Sequence, residues 1–393
     1  MTESQKIQSG LDKVKEWLTW CPKCNSCKYI YQEYSESCPA GEHFMFETYW
    51  SSGKVWIANG LVSGKLEWTP NLVNIIFACP LCGACANQCK QEVSDHLVDI
   101  FEALREEAII KGKGPMPNQK IFGDSIASKH NPYQEDHSDR LKWAEGLGVS
   151  QKDNAEILYF VGCTSSYRQR DLARDTIKIL NLLDVDYTVS KDEWCCGSPA
   201  MRTGQIKEAK EVVSHNIELF KNIGAKTIIT SCAGCYRTLK KDFPRYTDEL
   251  EDVEILHISE FLQKMIKEGK LDLSNKNFNG KVTYHDPCHL GRHSGVYDAP
   301  REIIKAIPGI ELVEMPRNKE NSWCCGAGGG VKAGFKEWSI EIASNRVEEA
   351  EGTGVEYLLC TCPFCKTGLT DAIEAINSDL KFLDIVNLLK KIL

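Results

Sequence analysis

From residue 155 onward, short apolar runs alternate with longer amphipathic stretches. In the first half of this region, four apolar runs predict strands at 157–161, 187–189, 227–230 and near residue 255. The stretches between them predict helices at 170–183, at 205–223 and from about residue 236. Strands that alternate with helices are typical of parallel βαβ units.

The second half of this region repeats the same pattern. It predicts strands at 282–285, 310–314 and 357–359, and helices at 301–307 and 336–351. Cysteine motifs recur with it: Cys163 is followed 125 residues later by Cys288, the pair Cys195-Cys196 recurs after 129 residues, and the Cys-x-x-Cys at Cys232 recurs after 130. An internal duplication of one α/β unit explains these offsets.

The residues before this duplication have a different pattern. Residues 1–113 hold eight cysteines between helical patterns at 11–20 and 93–111, and little β pattern, which predicts a mostly α-helical domain. Residues 112–139 are rich in Gly, Pro, Asn, Ser and charge, so 114–154 is predicted to be a linker or docking segment with little structure of its own. The duplicated units then occupy 155–275 and 276–393.

Composition adds one strong signal. The chain has 393 residues and a formal net charge of −8, which gives no indication of nucleic acid or an anionic membrane as a partner, but it contains 19 cysteines. No secretory signal and no run of about 18 apolar residues is present, so we expect a cytoplasmic location without a membrane span. Thiols in a reducing compartment are more often metal ligands or catalytic groups than disulfides.

The eight N-terminal cysteines have the spacing of two cubane [4Fe–4S] clusters. Three cysteines at three-residue intervals wrap one cluster, and a remote fourth typically serves the other cluster. We therefore assign one cluster to Cys21, Cys24, Cys27 and Cys89, and the other to Cys79, Cys82, Cys85 and Cys38. The alternative is a pair of Cys₄ zinc sites. Two departures are visible, since the first loop is expanded before Cys38 and Lys90 replaces the usual proline after Cys89.

The duplicated units carry two matched sets of five cysteines. The first quintet is Cys163, Cys195, Cys196, Cys232 and Cys235, and the second quintet is Cys288, Cys324, Cys325, Cys362 and Cys365. Five thiolates exceed what a tetrahedral zinc or a simple cubane needs. A glycine follows each adjacent pair and allows a tight turn beside inorganic sulfur. The ligands follow predicted strands, at the edge where open α/β sheets bind their ligands.

These two quintets resemble the CCG domains of the heterodisulfide reductase family, in the form that fuses a two-cluster ferredoxin domain to a CCG pair. The resemblance covers nearly the whole chain. It implies one noncubane [4Fe–4S] cluster in each quintet and a disulfide divided between them. Both quintets are complete, whereas many relatives have one degraded set, so completeness favours the disulfide-active branch.

Three charged or titratable residues near the quintets are candidate catalytic groups. The segment 285–293 resembles the family's DPCHLGR signature, and its His289 is suited to give a proton to a leaving thiolate. Its Arg292, with Arg168 as the counterpart in the first unit, is suited to pair with an anionic substrate group. The alternative is that these groups only donate hydrogen bonds to cluster sulfurs. The nineteenth cysteine, Cys360, is either a buried strand residue or a spare ligand.

The function expected from this resemblance is reduction, or formation, of a disulfide such as the coenzyme M–coenzyme B heterodisulfide. No flavin or nicotinamide fingerprint is present, so a flavoprotein or membrane cytochrome b partner is expected to supply electrons. The alternative is an electron-relay subunit of a glycolate, lactate or glycerol-3-phosphate dehydrogenase that feeds a quinone pool.

Overall fold

The computed structural model describes residues 10–30 and 35–393, and its N-terminal part is mainly helical. This part contains five helices and one antiparallel pair of two-residue strands: α1 Pro39–Phe44, α2 Ser51–Val62, α3 Pro70–Phe77, α4 Ala84–Gln88, α5 Leu97–Ile110, β1 Tyr29–Ile30 and β2 Ser35–Glu36. The predicted helix at 93–111 is present as a 3₁₀ turn followed by α5. The one predicted at 11–20 consists of two 3₁₀ turns, Gly10–Lys13 and Lys15–Thr19.

The segment 114–154 differs from the prediction of little secondary structure. Residues Pro117–Lys129 form helix α6, which begins at a proline and whose Gln119 side chain accepts the N–H of Met116 at 3.3 Å. Gln119 is fully buried and its amide donates to the carbonyl of Gly330 at 3.0 Å. The helix therefore forms because it packs between the two duplicated units. Its polar, glycine-containing sequence does not indicate this packing.

The first duplicated unit is a four-stranded parallel sheet with helices between its strands. Its strands are β3 Ile157–Tyr159, β4 Tyr187–Thr188, β5 Thr227–Thr230 and β6 Glu254–His257. Its helices are α7 Cys163–Tyr167, α8 Arg170–Leu182, α9 Ser198–Met201, α10 Ile206–Ile223, α11 Ala233–Arg237 and α12 Ile258–Lys267. The strand order is β4-β3-β5-β6, and every pairing is parallel.

The second unit has the same topology. Its strands are β7 Gly280–Tyr284, β8 Ile310–Leu312, β9 Tyr357–Cys360 and β10 Lys381–Asp384. Its helices are α13 Asp298–Lys305, α14 Val331–Gly334, α15 Lys336–Glu351, α16 Pro363–Ala375 and α17 Ile385–Ile392. The order β8-β7-β9-β10 reproduces the order of the first sheet, again with parallel pairings throughout. The mixed α/β prediction and the two parallel sheets are confirmed.

The two units share one apolar core. Helix α8 of the first unit packs on α17 of the second, and α12 packs on α13, so that Ile177 and Leu262 bury side chains in the same cluster as Ile303 and Leu388. Trp143, from the segment before the first unit, is buried in this cluster too. Across the two described ranges, no helix combines the length and apolar character that a bilayer crossing requires.

Candidate functional site

Two groups of four cysteines lie in the N-terminal part. The first contains Cys21, Cys24, Cys27 and Cys89. Burial, together with the neighbouring Cys89 and Cys21 sulfurs, raises the pKa of Cys27 to about 11. Cys24 is exposed, and a hydrogen bond with Ser26 at 3.3 Å lowers the pKa of its thiol. The structure thus places together the four residues assigned to one cubane, with one of them at the surface.

The second group contains Cys38, Cys79, Cys82 and Cys85 and lies deeper. Burial raises the pKa of Cys38 to about 12, against the opposing effect of the Lys54 ammonium, and raises that of Cys85 well above its usual value. The sulfurs of Cys79 and Cys82 neighbour both of these thiols. The structure therefore brings together the other four assigned residues as well.

The first quintet collects at the carboxyl ends of its sheet strands. Cys163 begins α7 just after β3, and Cys232 precedes α11 just after β5. Hydrogen bonds from Cys195 and Cys235 lower the pKa of Cys196 well below its usual value. The glycine at position 162, with φ of 76°, allows this packing, because a Cβ there would lie 2.9 Å from the Cys235 sulfur.

A buried arginine completes this first site. Arg140 donates to the Cys163 sulfur at 3.6 Å and forms a buried ion pair with Glu193. Glu193 in turn accepts the N–H groups of Val161 and Gly162 at 2.8 and 2.9 Å. The sequence did not indicate the Arg140–Glu193 ion pair. Arg140 lies in the segment that was predicted to be a linker or docking segment.

The second quintet has the same arrangement in the second sheet. Cys362 precedes α16 just after β9, and hydrogen bonds from Cys324 and Cys365 lower the pKa of Cys325 well below its usual value. The Cys324 sulfur accepts the N–H of Gly326 at 3.3 Å and also lies within hydrogen-bonding reach of Cys82. This contact lowers the pKa of Cys82 to about 6. The deeper N-terminal group therefore lies directly beside the second quintet.

The two quintets meet at one cavity of about 680 Å³. The Cys232 and Cys362 sulfurs lie within hydrogen-bonding reach of each other across the boundary between the units. Nine quintet cysteines line the cavity: Cys163, Cys195, Cys196, Cys232, Cys235, Cys288, Cys325, Cys362 and Cys365. Arg168, Arg202 and Lys332 also line it, whereas none of the described lining residues is an aspartate or glutamate. The cavity is thus rich in sulfur and carries positive charge at its walls.

The three predicted catalytic residues are in different places. His289 lines the cavity, and its Nε2 accepts from Arg237 at 3.4 Å. Burial and the Arg237 and Arg202 guanidiniums lower the pKa of His289 well below 6.5, so its imidazole is neutral near pH 7. Arg168 also lines the cavity, near the surface, where Glu135 pairs with it at 2.6 Å.

Arg292 lies outside the residues that line this cavity, although it belongs to the same motif as His289. Its Nε donates to the carbonyl of Cys82 at 2.8 Å, and its Nη1 donates to the carbonyl of Ser322. The adjacent His293 approaches the carbonyl of Leu81 at 2.9 Å. The turn after Cys288 therefore sends His289 toward the cavity and these two residues toward the N-terminal part, where Arg292 fixes the loop of the deeper cysteine group.

Arg105 is a site residue that the sequence did not indicate. It is fully buried on α5 and donates to carbonyls of Ile76, Phe77, Cys79, Arg202 and Gly329, so it joins the N-terminal part to both duplicated units. Burial lowers its pKa to about 10. Its position in an amphipathic helix gave no sequence signal, because long charged residues there normally face solvent.

The glycine run 326–330 serves close packing. A Cβ on Gly329 would lie 2.7 Å from the backbone of Cys79 and Pro80, so only glycine allows the cysteine-bearing loop to approach this closely. Trp323 is buried and donates from its indole to the carbonyl of Ile342 at 3.0 Å. Trp194 stacks between two histidine rings. These contacts fit shielding and packing roles for the two tryptophans.

The donor chemistry of these sites fits iron–sulfur clusters. Each set offers sulfur as its main donor, and soft thiolates select Fe–S clusters, zinc or Cu(I). A tetrahedral zinc site is complete with four ligands, whereas each quintet gathers five sulfurs beside a glycine turn and a shared cavity. Backbone or arginine donors also reach cysteine sulfur in both quintets, as they do around protein-bound clusters.

A duplicated α/β fold that lines one cavity with two cysteine quintets defines a two-repeat cysteine-rich redox protein. Residues 157–240 and 282–370 match the CCG cysteine-rich domain family. A subunit of the dihydromethanophenazine:CoB–CoM heterodisulfide reductase of Methanosarcina mazei is 38% identical over 391 residues, which cover 96% of this chain and 94% of that one. The Methanosarcina barkeri protein of the same name is 42% identical over 322 residues, covering 81% and 78% of the two chains.

The chain therefore belongs to the family of these heterodisulfide reductase subunits, and the resemblance stated from the sequence is confirmed. It is an iron–sulfur protein of the cysteine-rich class. Among solved structures, a hypothetical protein from Helicobacter pylori has a TM-score of 0.55, with 10% identity, over 96% of this chain and 70% of that one. That likeness shows the fold alone.

Proposed function

We propose that this chain is the disulfide-active iron–sulfur subunit of a heterodisulfide reductase-like oxidoreductase. The observation that carries this proposal is that both cysteine quintets are complete and that nine of their ten cysteines line one cavity. Relatives named as heterodisulfide reductase subunits, which this chain matches over most of its length, support it. The relay alternative has less support, because it gives no reason for two complete quintets around a shared cavity.

The cofactors we propose are two cubane and two noncubane [4Fe–4S] clusters. The cubanes would be held by the two groups of four cysteines in a ferredoxin domain of residues 1–113, and the noncubane clusters by the quintets in CCG domains of residues 155–275 and 276–393. When bound, these clusters supply one-electron transfer and iron sites for two substrate sulfurs. The positions of the cysteines suggest the order in which electrons would pass between these groups. Cys24 of the first group is exposed, and Cys82 of the deeper group contacts Cys324 of the second quintet.

The substrate we propose is a disulfide whose two halves carry anionic groups. The cations Arg168, Arg202 and Lys332 line the cavity without any described acidic lining residue. Arg202 already holds Glu102 and Asp242, whereas the Lys332 side chain is 25% exposed and its pairing with Asp371 is at the rim. Lys332 and Arg168 are therefore the groups that an anionic substrate can recruit. The CoB–CoM heterodisulfide named for the relatives fits this class.

His289 is the proposed proton-handling residue of the cavity. An arginine only donates, so the contact from Arg237 leaves the His289 Nε2 without a proton and places the proton of the neutral ring on Nδ1. That Nδ1 lies on the side of Gly234, whose added Cβ would be 3.7 Å from it and equally close to the Cys232 sulfur. The Nδ1–H is thus placed to donate a hydrogen bond to a thiolate released beside Cys232.

The partner we propose is a flavoprotein or a membrane cytochrome b that supplies electrons at the exposed Cys24 group, with this chain in the cytoplasm. The test is an assay of the purified complex with reduced viologen and the CoB–CoM heterodisulfide, compared with a quinone acceptor. We expect disulfide turnover, and a raised KM with little change in kcat for Lys332→Ala. Quinone reduction without disulfide turnover would defeat the proposal and favour the relay function.

A further inference from the structure

The two quintets have different residues behind them, although their folds match. Behind the first quintet lie Phe160 at the end of β3, Asn216 on α10 and Thr230 at the end of β5. The equivalent positions behind the second quintet hold a histidine, an arginine and a cysteine: His285, Arg346 and Cys360. The duplication has therefore kept the ligands and exchanged the polar groups that face them.

The arginine fixes the tautomer of the histidine. His285 is 1% exposed, and its Nδ1 accepts from the Arg346 Nε at 3.2 Å. A guanidinium has no acceptor, so Nδ1 carries no proton and the proton of a neutral ring is on Nε2. Arg346 is fully buried, and it donates to the carbonyl of Arg317 at 2.8 Å and to Glu349. Because Arg346 is held in place, it fixes the orientation of the His285 ring.

The His285 ring lies beside the second quintet, next to the Cys325 sulfur. Its Nε2 is buried and makes no hydrogen bond of good geometry to a described protein atom. The His285 ring and the Cys360 and Cys365 sulfurs form a buried cluster in which the ligand atoms lie within 4.8 Å of one another. A buried N–H that lacks an acceptor destabilises the fold, so the acceptor of this one is expected in the group that the quintet holds.

We propose that His285 is a positioning residue that donates its Nε2–H to sulfur at the second quintet and raises the reduction potential of the cluster there. This inference rests on the proposed function, because it requires that the quintets hold clusters. Hydrogen bonds to cluster sulfurs and thiolates stabilise the reduced, more negative state. Phe160 provides no such donor at the equivalent place, so the two sites are not electronically equivalent.

The first quintet has its own donor in another place. Arg140 reaches the Cys163 sulfur at 3.6 Å, on the ligand that follows the first strand of the sheet. The His285 ring lies instead near Cys365, the ligand that follows the third strand, and beside Cys325 of the adjacent pair. Each site can therefore be adjusted through a different cysteine, and a change at His285 should leave the first site unaffected.

The experiment compares His285→Phe, which installs the residue of the first unit, with wild type in an anaerobic redox titration followed by EPR. We expect the one-electron equilibrium of one noncubane cluster to shift about tenfold toward the oxidised form, which is about 59 mV. His285→Gln, which keeps an N–H donor, should restore most of the shift. Phe160→Leu is the matched control in the first unit and should move neither midpoint.

Outcomes that contradict the inference are distinguishable from failure of the proposed function. Wild-type protein without iron and sulfide would defeat the function itself. A full iron content with unchanged midpoints in His285→Phe would overturn only the role of His285. If that variant does not assemble, ENDOR of wild type labelled with ¹⁵N-histidine decides. Weak coupling of one histidine nitrogen to the second site supports the donor role, whereas no coupling, or the strong coupling of an iron-bound imidazole, overturns it.

Discussion

At the scale of single residues, Arg105 holds the site together. One buried guanidinium bonds to carbonyls from the N-terminal part and from both duplicated units, including those of Cys79 and Gly329 at 2.5 and 2.6 Å. A planar group with five donors in a fixed fork can satisfy several carbonyls at once, which an ammonium on a flexible stem cannot. The spacing between the deeper cysteine group and the cavity therefore depends on this residue.

Arg105→Lys is expected to destabilise the protein strongly. The lysine leaves at least two buried carbonyls without a donor, each at about 1–3 kcal/mol, so the free energy of unfolding should fall by at least about 2 kcal/mol. Urea denaturation of the variant and wild type measures this. Arg245→Ala is the control, because that arginine is 55% exposed in its pair with Asp99 and should change stability by less than about 1 kcal/mol. Equal effects of the two substitutions would contradict the role of Arg105.

The sequence indicates which residues are close along the chain, but not the direction in which their side chains point. Spacing, with the pattern of a remote fourth ligand, grouped the N-terminal cysteines into two sets, and the binding of one cubane by each set stays a prediction. Spacing could not tell which way the residues after Cys288 point, and Arg292 lies against the N-terminal part while His289 lines the cavity. Arg105 and the Arg140–Glu193 pair were missed for a related reason, since their partners are backbone groups or residues distant in the chain.

At the scale of elements, the fourth strand of each sheet ends in a buried helix cap. His257 caps α12 by accepting the N–H of Ser259 at 3.2 Å, and Asp384 caps α17 by accepting that of Val386 at 2.9 Å. Burial lowers the pKa of His257 to about 4 and raises that of Asp384 to about 7. Both caps therefore favour their neutral forms, and they respond to pH in opposite directions.

We predict opposite pH dependences for the two cap variants. Folded Asp384 keeps its proton up to about pH 7, whereas the unfolded residue loses it above about 3.9, so this residue makes the fold less stable as pH rises between these values. Asp384→Asn keeps the cap, and its gain in Tm over wild type should be larger at pH 7.5 than at pH 5.5.

The unfolded His257 takes up a proton below about pH 6.5, whereas the folded residue does so only near pH 4, so the fold loses stability as pH falls between them. His257→Asn should gain more Tm over wild type at pH 5.5 than at pH 7.5. Thermal unfolding at both pH values checks both variants, and parallel responses would contradict the assignment.

The helices and strands of the duplicated units were the most predictable part of the fold. The predicted strand 227–230 matches β5, and the predicted helix 205–223 matches α10 to within one residue, because a parallel sheet needs short apolar strands and its covering helices need one apolar face. Helix α6 was not predictable in this way. Its sequence has no clear apolar face, and its stability comes from packing against α10 and α14.

At the scale of the whole molecule, the parts are joined too closely to unfold separately. The two units share one core through α8, α12, α13 and α17, and Arg105 joins both to the N-terminal part. We predict that loss of the visible cluster absorbance and loss of far-UV circular dichroism occur in one coincident thermal transition. Removal of iron by a chelator should lower the Tm of that transition, because bound clusters stabilise only the folded chain. Two well-separated transitions would contradict this coupling.

The distribution of charge around the cavity also determines what the protein excludes. Three cations line the cavity, and none of its described lining residues is a carboxylate. The acids that pair with these cations, Glu135, Glu102, Asp242 and Asp371, are not among the lining residues. A disulfide bearing amino groups would meet repulsion from both sides, while one bearing sulfonate, phosphate or carboxylate groups would be attracted, so discrimination arises as much from rejection as from binding. In a cell that contains many small disulfides, such a cavity would favour reduction of the acidic ones. This selection by charge does not require the protein to recognise the rest of the substrate's shape.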